Sequence, residues 1–174
     1  MMSQPFPKDI YAARRNRLAL NMRAKSAGGI LILETAAEVY RNRDSDFPYR
    51  HDSDFYYLTG FAEPGATLVM SVTEKNIHTL LFCRPKDLER EIWDGWRLGP
   101  EAAPQYLGID SAESIQKIDE LIPAHIENQH AIYTRLIQGN KESAQLTQWL
   151  KKVKANARNG SSTPGILFDA EVLI

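Results

Sequence analysis

Apolar positions recur along this chain at two spacings, and the changes between them mark out its elements. Residues 8–25 place Tyr11, Leu18 and Met22 close to one face of a helix, and Ser26-Ala27-Gly28-Gly29 ends it. The run 30–33 is short and wholly apolar, as in a buried strand. Polar residues 41–46 follow, then an aromatic-rich stretch over 47–61. Glu63-Pro64-Gly65 signals a turn. Beyond it, 66–72 reads as a β-branched strand with 77–83 as its antiparallel partner. The second half is more helical. Residues 100–107 form a short helix candidate that begins with proline. Ser111 and Ser114 open a stronger one in which Ile115, Ile118, Ile122 and Ile126 share a face, and Pro123 within it predicts a kink or division. Residues 131–136 read as a strand, Tyr133 and Thr134 suiting a pleated surface. The clearest helix spans 141–156, with a stripe of Leu146, Trp149, Leu150 and Val153 and basic residues late, as the macrodipole favours. Residues 159–165 are a turn or linker cluster. The closing stretch 166–174 is apolar and ends without a polar tail, which reads as a chain cut short. The sum is a single α/β domain, a mixed β-sheet flanked by helices in a three-layer-like arrangement.

Composition narrows the function classes. With 43% hydrophobic and 25% charged residues, 174 residues supply one domain's core and exclude wholesale disorder. Lysine and arginine number 21 against 22 acidic residues, so the basic excess of a dedicated nucleic-acid binder is missing. The first seven residues carry no secretory pattern, and apolar runs fall far short of the roughly 20 residues a spanning helix needs. Arg14, Arg15, Arg17, Arg23 and Lys25 are read as a solvated helix face rather than a membrane-binding one. A cytoplasmic protein without nucleic-acid or membrane partners is therefore expected.

Candidate chemistry is sparse. His51, His78, His125 and His130 form no metal-binding spacing, and His51-Asp52-Ser53-Asp54 is first of all turn chemistry. Cys83, the only cysteine, allows no internal disulfide and ends an apolar strand, where an inert thiol is the default. Gly28-Gly29, Gly95, Gly99 and Gly108 fit neither phosphate-cradling pattern. Asp52 and Asp54 offer an acid and a base for a small hydrolase, the weakest reading. Two segments stand out. Residues 49–61 set five aromatics among charges, and residues 90–99 set Trp93 and Trp96 among arginines around a glycine turn. The latter composition suits interface anchors as well as it suits the domain's own core.

The first segment, extended to the following turn, runs Tyr49, Arg50, Ser53, Asp54, Phe55, Tyr57, Thr59, Gly60, Phe61, Glu63 and Pro64. The second runs Glu91, Trp93, Gly95, Arg97 and Gly99, with Arg84-Pro85-Lys86-Asp87 before it. In this order and spacing the chain resembles, over nearly its whole length, the N-terminal domain of aminopeptidase P. These are the Xaa-Pro aminopeptidases of the pita-bread metallopeptidase superfamily. The resemblance implies a creatinase/aminopeptidase P N-terminal-domain fold over 1–160, with 161–174 starting a linker to an absent catalytic domain. It implies a parent hydrolase that releases an N-terminal residue preceding proline. There, a C-terminal domain holds two divalent metals, commonly manganese, on Asp, Asp, His, Glu and Glu. No catalytic, cofactor-binding or metal residue carries over to this chain, which alone is expected not to be an enzyme. The roles left are packing on its own catalytic domain, supporting a homo-oligomer and shaping the substrate cleft. Trp93 is similar to a tryptophan that reaches a neighbouring subunit's active site; with Arg97 it is the candidate intersubunit or cleft contact. Tyr49, Arg50, Asp54, Tyr57, Gly60 and Glu63 are expected to be structural, Asp54 as the cap of a short helix. The alternative is a free-standing peptide- or protein-recognition module of the same fold, without a peptidase domain.

Overall fold

A computed structural model describes residues 7–136 and 140–174. Among the described residues six strands form one sheet: β1 (Gly29–Glu34), β2 (Thr67–Val72), β3 (Ile77–Cys83), β4 (Ser111–Ser114), β5 (Ala131–Thr134) and β6 (Ile166–Asp169), in the order β4-β3-β2-β1-β5-β6. The pairs β3–β4, β1–β5 and β5–β6 are parallel. The link from β2 to β3 is closed by Thr73 N donating to Asn76 O over 2.9 Å. It is far too short for a parallel crossover, so that pair is antiparallel. The sheet is mixed and carries helices, the α/β class the sequence predicts.

Contacts divide the chain into two compact units. The first holds the start of α1 (Lys8–Ser26) with residues 33–68 and 79–115. Its core includes Tyr11, Phe55, Leu58, Phe61, Leu80, Phe82 and Leu107. Here one expectation fails: Arg15, placed on a solvated helix face, is only 4% exposed. It donates to Leu58 O over 2.8 Å and to Gly108 O, while Arg14 donates to Tyr57 O over 3.0 Å. These carbonyls end α2 (Ser53–Thr59) and follow α4 (Ala103–Leu107), where helices leave acceptors unfilled. A second correction concerns Ser111 and Ser114. They do not open a helix but form β4, because Asp110 is fastened to β3: Thr79 N donates to its Oδ2 over 2.6 Å, and Asp110 N to Thr79 O over 3.2 Å. The next four residues are thereby aligned with the free edge of Leu80–Cys83.

The second unit holds residues 16–32, 69–78, 116–136 and 140–174, with a core of Leu18, Met22, Ile30, Ile122, Ile126, Ile132, Tyr133, Trp149 and Val153. Pro123 does not divide α5 (Ile118–Ile126). Proline removes the N–H that would bond to the carbonyl four residues earlier. That carbonyl, Asp119 O, instead accepts from Lys152 Nζ of α6 (Asn140–Ala155) over 2.7 Å. Residues 161–174, expected to begin a linker, carry β6, paired with β5 from Ala131↔Ile166 to Thr134↔Asp169. The stretch is tied further by Asn21 Nδ2 donating to Leu173 O over 3.0 Å and by an Arg135–Glu171 ion pair at 3.3 Å. An apolar run beside the open edge of a parallel strand gains a ladder by pairing, so it joins the sheet.

Candidate functional site

The aromatic segment is held together by its own polar groups. Asp52 is extended (φ −66°, ψ 139°), and its carboxylate accepts from Phe55 N over 2.8 Å, so Asp52 rather than Asp54 caps α2. The correction follows from where the backbone turns helical. Asp54 already lies in the first turn, where a negative charge meets the positive end of the helix. Gly60 ends the helix at φ 67°, its N–H donating to Tyr56 O over 2.8 Å. Thr59 Oγ1 donates to Phe55 O over 2.7 Å and accepts from Phe61 N over 3.0 Å, bending the chain into the turn. Tyr49 shares a 2.8 Å hydrogen bond with Thr35, and Tyr57 carries the Arg14 guanidinium 4.2 Å from its ring centre. Arg50 is exposed. Asp52→Ala is expected to cost about 0.5–2 kcal/mol in a urea titration, and Asp54→Ala clearly less.

The tryptophan segment starts at Asp87, whose carboxylate accepts from Arg90 N over 3.1 Å and caps α3 (Leu88–Asp94). Gly95 stops the helix at φ 85°, a backbone shape L residues avoid, although a side chain there would meet nothing within 4 Å. None of the α3 residues is buried; Leu88, Ile92 and Trp93 are 76%, 79% and 87% exposed. Trp93 is therefore not core. Trp96, 38% exposed, has Lys86 Nζ 4.9 Å above its ring.

Charges gather beneath. Glu63, 4% exposed, accepts from Leu98 N over 2.8 Å and lies 3.9 Å from the Arg84 guanidinium. Burial pushes its carboxyl up, against the downward pull of the Leu98 N–H, Arg84 and Arg97. Arg97 is 5% exposed and donates to Asp94 Oδ2 over 2.8 Å and to Pro85 O over 3.4 Å. Arg97, grouped with Trp93 as a candidate contact, has its guanidinium engaged within the chain. Lys86 pairs with Glu91 at 3.5 Å. The role of Glu63 in holding this segment has no local signal, since Leu98 lies far along the chain.

Other candidate chemistry recedes. Burial, with Glu63 and Glu101, pushes the Cys83 thiol up to about 12, which leaves it protonated and unreactive at neutral pH. Asp52 serves as a cap. Among the described residues no group of three or more His, Cys, Asp and Glu is placed to hold a metal ion.

Residues 11–133 match the family described as the aminopeptidase P N-terminal domain. The Xaa-Pro aminopeptidase of Haemophilus influenzae is 41% identical over 127 residues, which cover 73% of this chain and 29% of that protein. The Xaa-Pro aminopeptidase of Escherichia coli is 34% identical over 160 residues, covering 91% and 36%. The low-pH form of E. coli aminopeptidase P superposes with a TM-score of 0.88 at 32% identity, covering 94% of this chain and 37% of that one. The chain thus spans about a third of the length of these relatives.

Proposed function

Because this chain belongs to the family of aminopeptidase P N-terminal domains, we propose that it is the non-catalytic N-terminal domain of a metal-dependent, cytoplasmic Xaa-Pro aminopeptidase. Its work is architectural: it supports a homo-oligomer and helps wall the cleft of a larger protein that releases an N-terminal residue preceding proline. The observation that carries this reading is α3, whose Leu88, Ile92 and Trp93 face solvent. An apolar cluster of this kind gains by being covered, and a stiff aromatic ring loses little freedom on docking. We assign Trp93 to a neighbouring subunit or the cleft wall. Metal-activated attack on the peptide, with manganese as the metal, belongs to the catalytic region of the larger protein.

In the whole protein, Trp93→Ala is expected to weaken assembly, read by light scattering, and to lower turnover of longer Xaa-Pro peptides. The same change in the 174-residue chain should alter its stability by no more than about 0.5 kcal/mol. That chain should hydrolyse no Xaa-Pro peptide, with or without manganese. Unchanged assembly and turnover in the Trp93→Ala protein would overturn the contact.

A further inference from the structure

The helix α3 is built inside out. A surface helix ordinarily turns an apolar stripe inward and its charges to water. Here the apolar side chains Leu88, Ile92 and Trp93 point outward, while the enclosed groups at its base are charged: Glu91, Arg97 and Glu63. Intrinsic helicity does not explain it either, because an isolated helix needs about 12–15 residues to be even marginally stable. Besides the Asp87 cap, a charge assembly lies at its base. Arg97 spans the helix from end to end, reaching Pro85 O before it and Asp94 Oδ2 at its last residue. Glu63 holds the outgoing chain at Leu98 N and faces Arg84.

Such an assembly is poorly suited to stability alone. Removing charges from water is repaid only when every hydrogen bond is made. In this one Glu63 Oε2, Arg84 Nε, Glu91 Oε1 and Arg97 Nε are buried without hydrogen-bond partners. In some proteins buried ionic groups instead select one geometry among several of similar energy. We propose that Arg97 and Glu63 are positioning residues which hold α3 so that Leu88, Ile92 and Trp93 form one preset apolar face. The proposal rests on the reading that this face meets a neighbouring subunit or the cleft. The charges set its direction, and the face makes the contact.

The three tryptophans allow a test. Chain labelled with 5-fluorotryptophan gives one fluorine resonance each for Trp93, Trp96 and Trp149, assigned by Trp→Phe changes at 93 and 96. Arg97→Met removes the charge and keeps most of the bulk. It should move the Trp93 and Trp96 lines toward their positions in urea and speed amide exchange along α3 by roughly tenfold or more, while the Trp149 line stays in place. Glu63→Gln keeps an acceptor for Leu98 N but loses the charge, and should shift the same two lines by less. If both variants leave those lines and the α3 exchange unchanged, the proposal is overturned. If Arg97→Met unfolds the chain, Glu63→Gln decides: moved Trp93 and Trp96 lines with a fixed Trp149 line support positioning. Three moved lines, or none, overturn it. These readouts need no partner. If they succeed while Trp93→Ala leaves the whole protein's assembly and turnover intact, the contact reading fails and the positioning role stands.

Discussion

Trp149→Ala is expected to remove about 3–5 kcal/mol from the stability of the chain, which for a protein of this size lowers the melting temperature by roughly 6–20 °C. Trp149 is buried on α6 and does two things at once. Its ring fills the second unit's core, and its Nε1 donates to Asp119 Oδ1 over 2.7 Å, beside a 3.1 Å bond from Gln145. Alanine leaves a cavity and takes a donor from that carboxylate. Denaturant titrations followed by circular dichroism measure the total. Trp149→Phe isolates the second part, since it keeps most of the ring and loses the N–H. The Gln145 and Trp149 hydrogen bonds hold the Asp119 carboxyl below its ordinary 3.8. A carboxyl depressed in the folded state contributes stability above its unfolded pKa and loses it as pH falls through the folded one. The hydrogen-bond share of the Trp149→Phe deficit should therefore be full at neutral pH and fade as pH drops below 3.8. A deficit with no pH dependence would show that packing alone is involved.

Gly28→Ala should be costly despite adding a single methyl group. Gly28 sits at φ +114°, and a Cβ there would lie 2.2 Å from Val72 O. The backbone shape alone costs about 1–3 kcal/mol for an L residue. Relieving the overlap means displacing the backbone of β2, a further penalty of about 1–3 kcal/mol. The total expected from chemical melts is about 2–6 kcal/mol, against the few tenths typical of a surface substitution. Loss within those few tenths would mean that the link from α1 to β1 can rearrange freely. The pair Gly28-Gly29 thus admits close backbone neighbours, Val72 O at the first and Ala131 O at the second.

Elements whose apolar spacing is self-contained were legible in the sequence: α1, β1, β2, β3 and α6 fall within a residue or two of their expected limits. β4 was not, because Ser111-Ala112-Glu113-Ser114 has no alternation of its own and becomes a strand only by lying beside Leu80–Cys83. Pro123 predicts a break from local rules, and a lysine some thirty residues away supplies what the proline removes. The site divides in the same way. Motif spacing marks the two unusual segments. Among Asp52, Ser53 and Asp54, each a fair cap by type, only the backbone angles at Asp52 settle which one serves. The family resemblance groups Trp93 and Arg97 alike as candidate contact residues. Tertiary closure separates them, burying Arg97 among Asp94, Pro85 and Glu63 and leaving Trp93 in water.

The pairing of β1 with β5, which sets Ile30 beside Ile132, has a consequence for the timing of folding. The β2–β3 turn closes a short loop, whereas β1 must await a strand about a hundred residues downstream. Loop-closure entropy grows only logarithmically, each doubling adding about 0.6 kcal/mol, so this separation takes little from the finished stability. Rate responds differently, because non-local contacts reward the chain only after the entropy of closure has been lost. Pairing two strands so far apart in the sequence therefore weighs on the rate of folding more than on the finished stability.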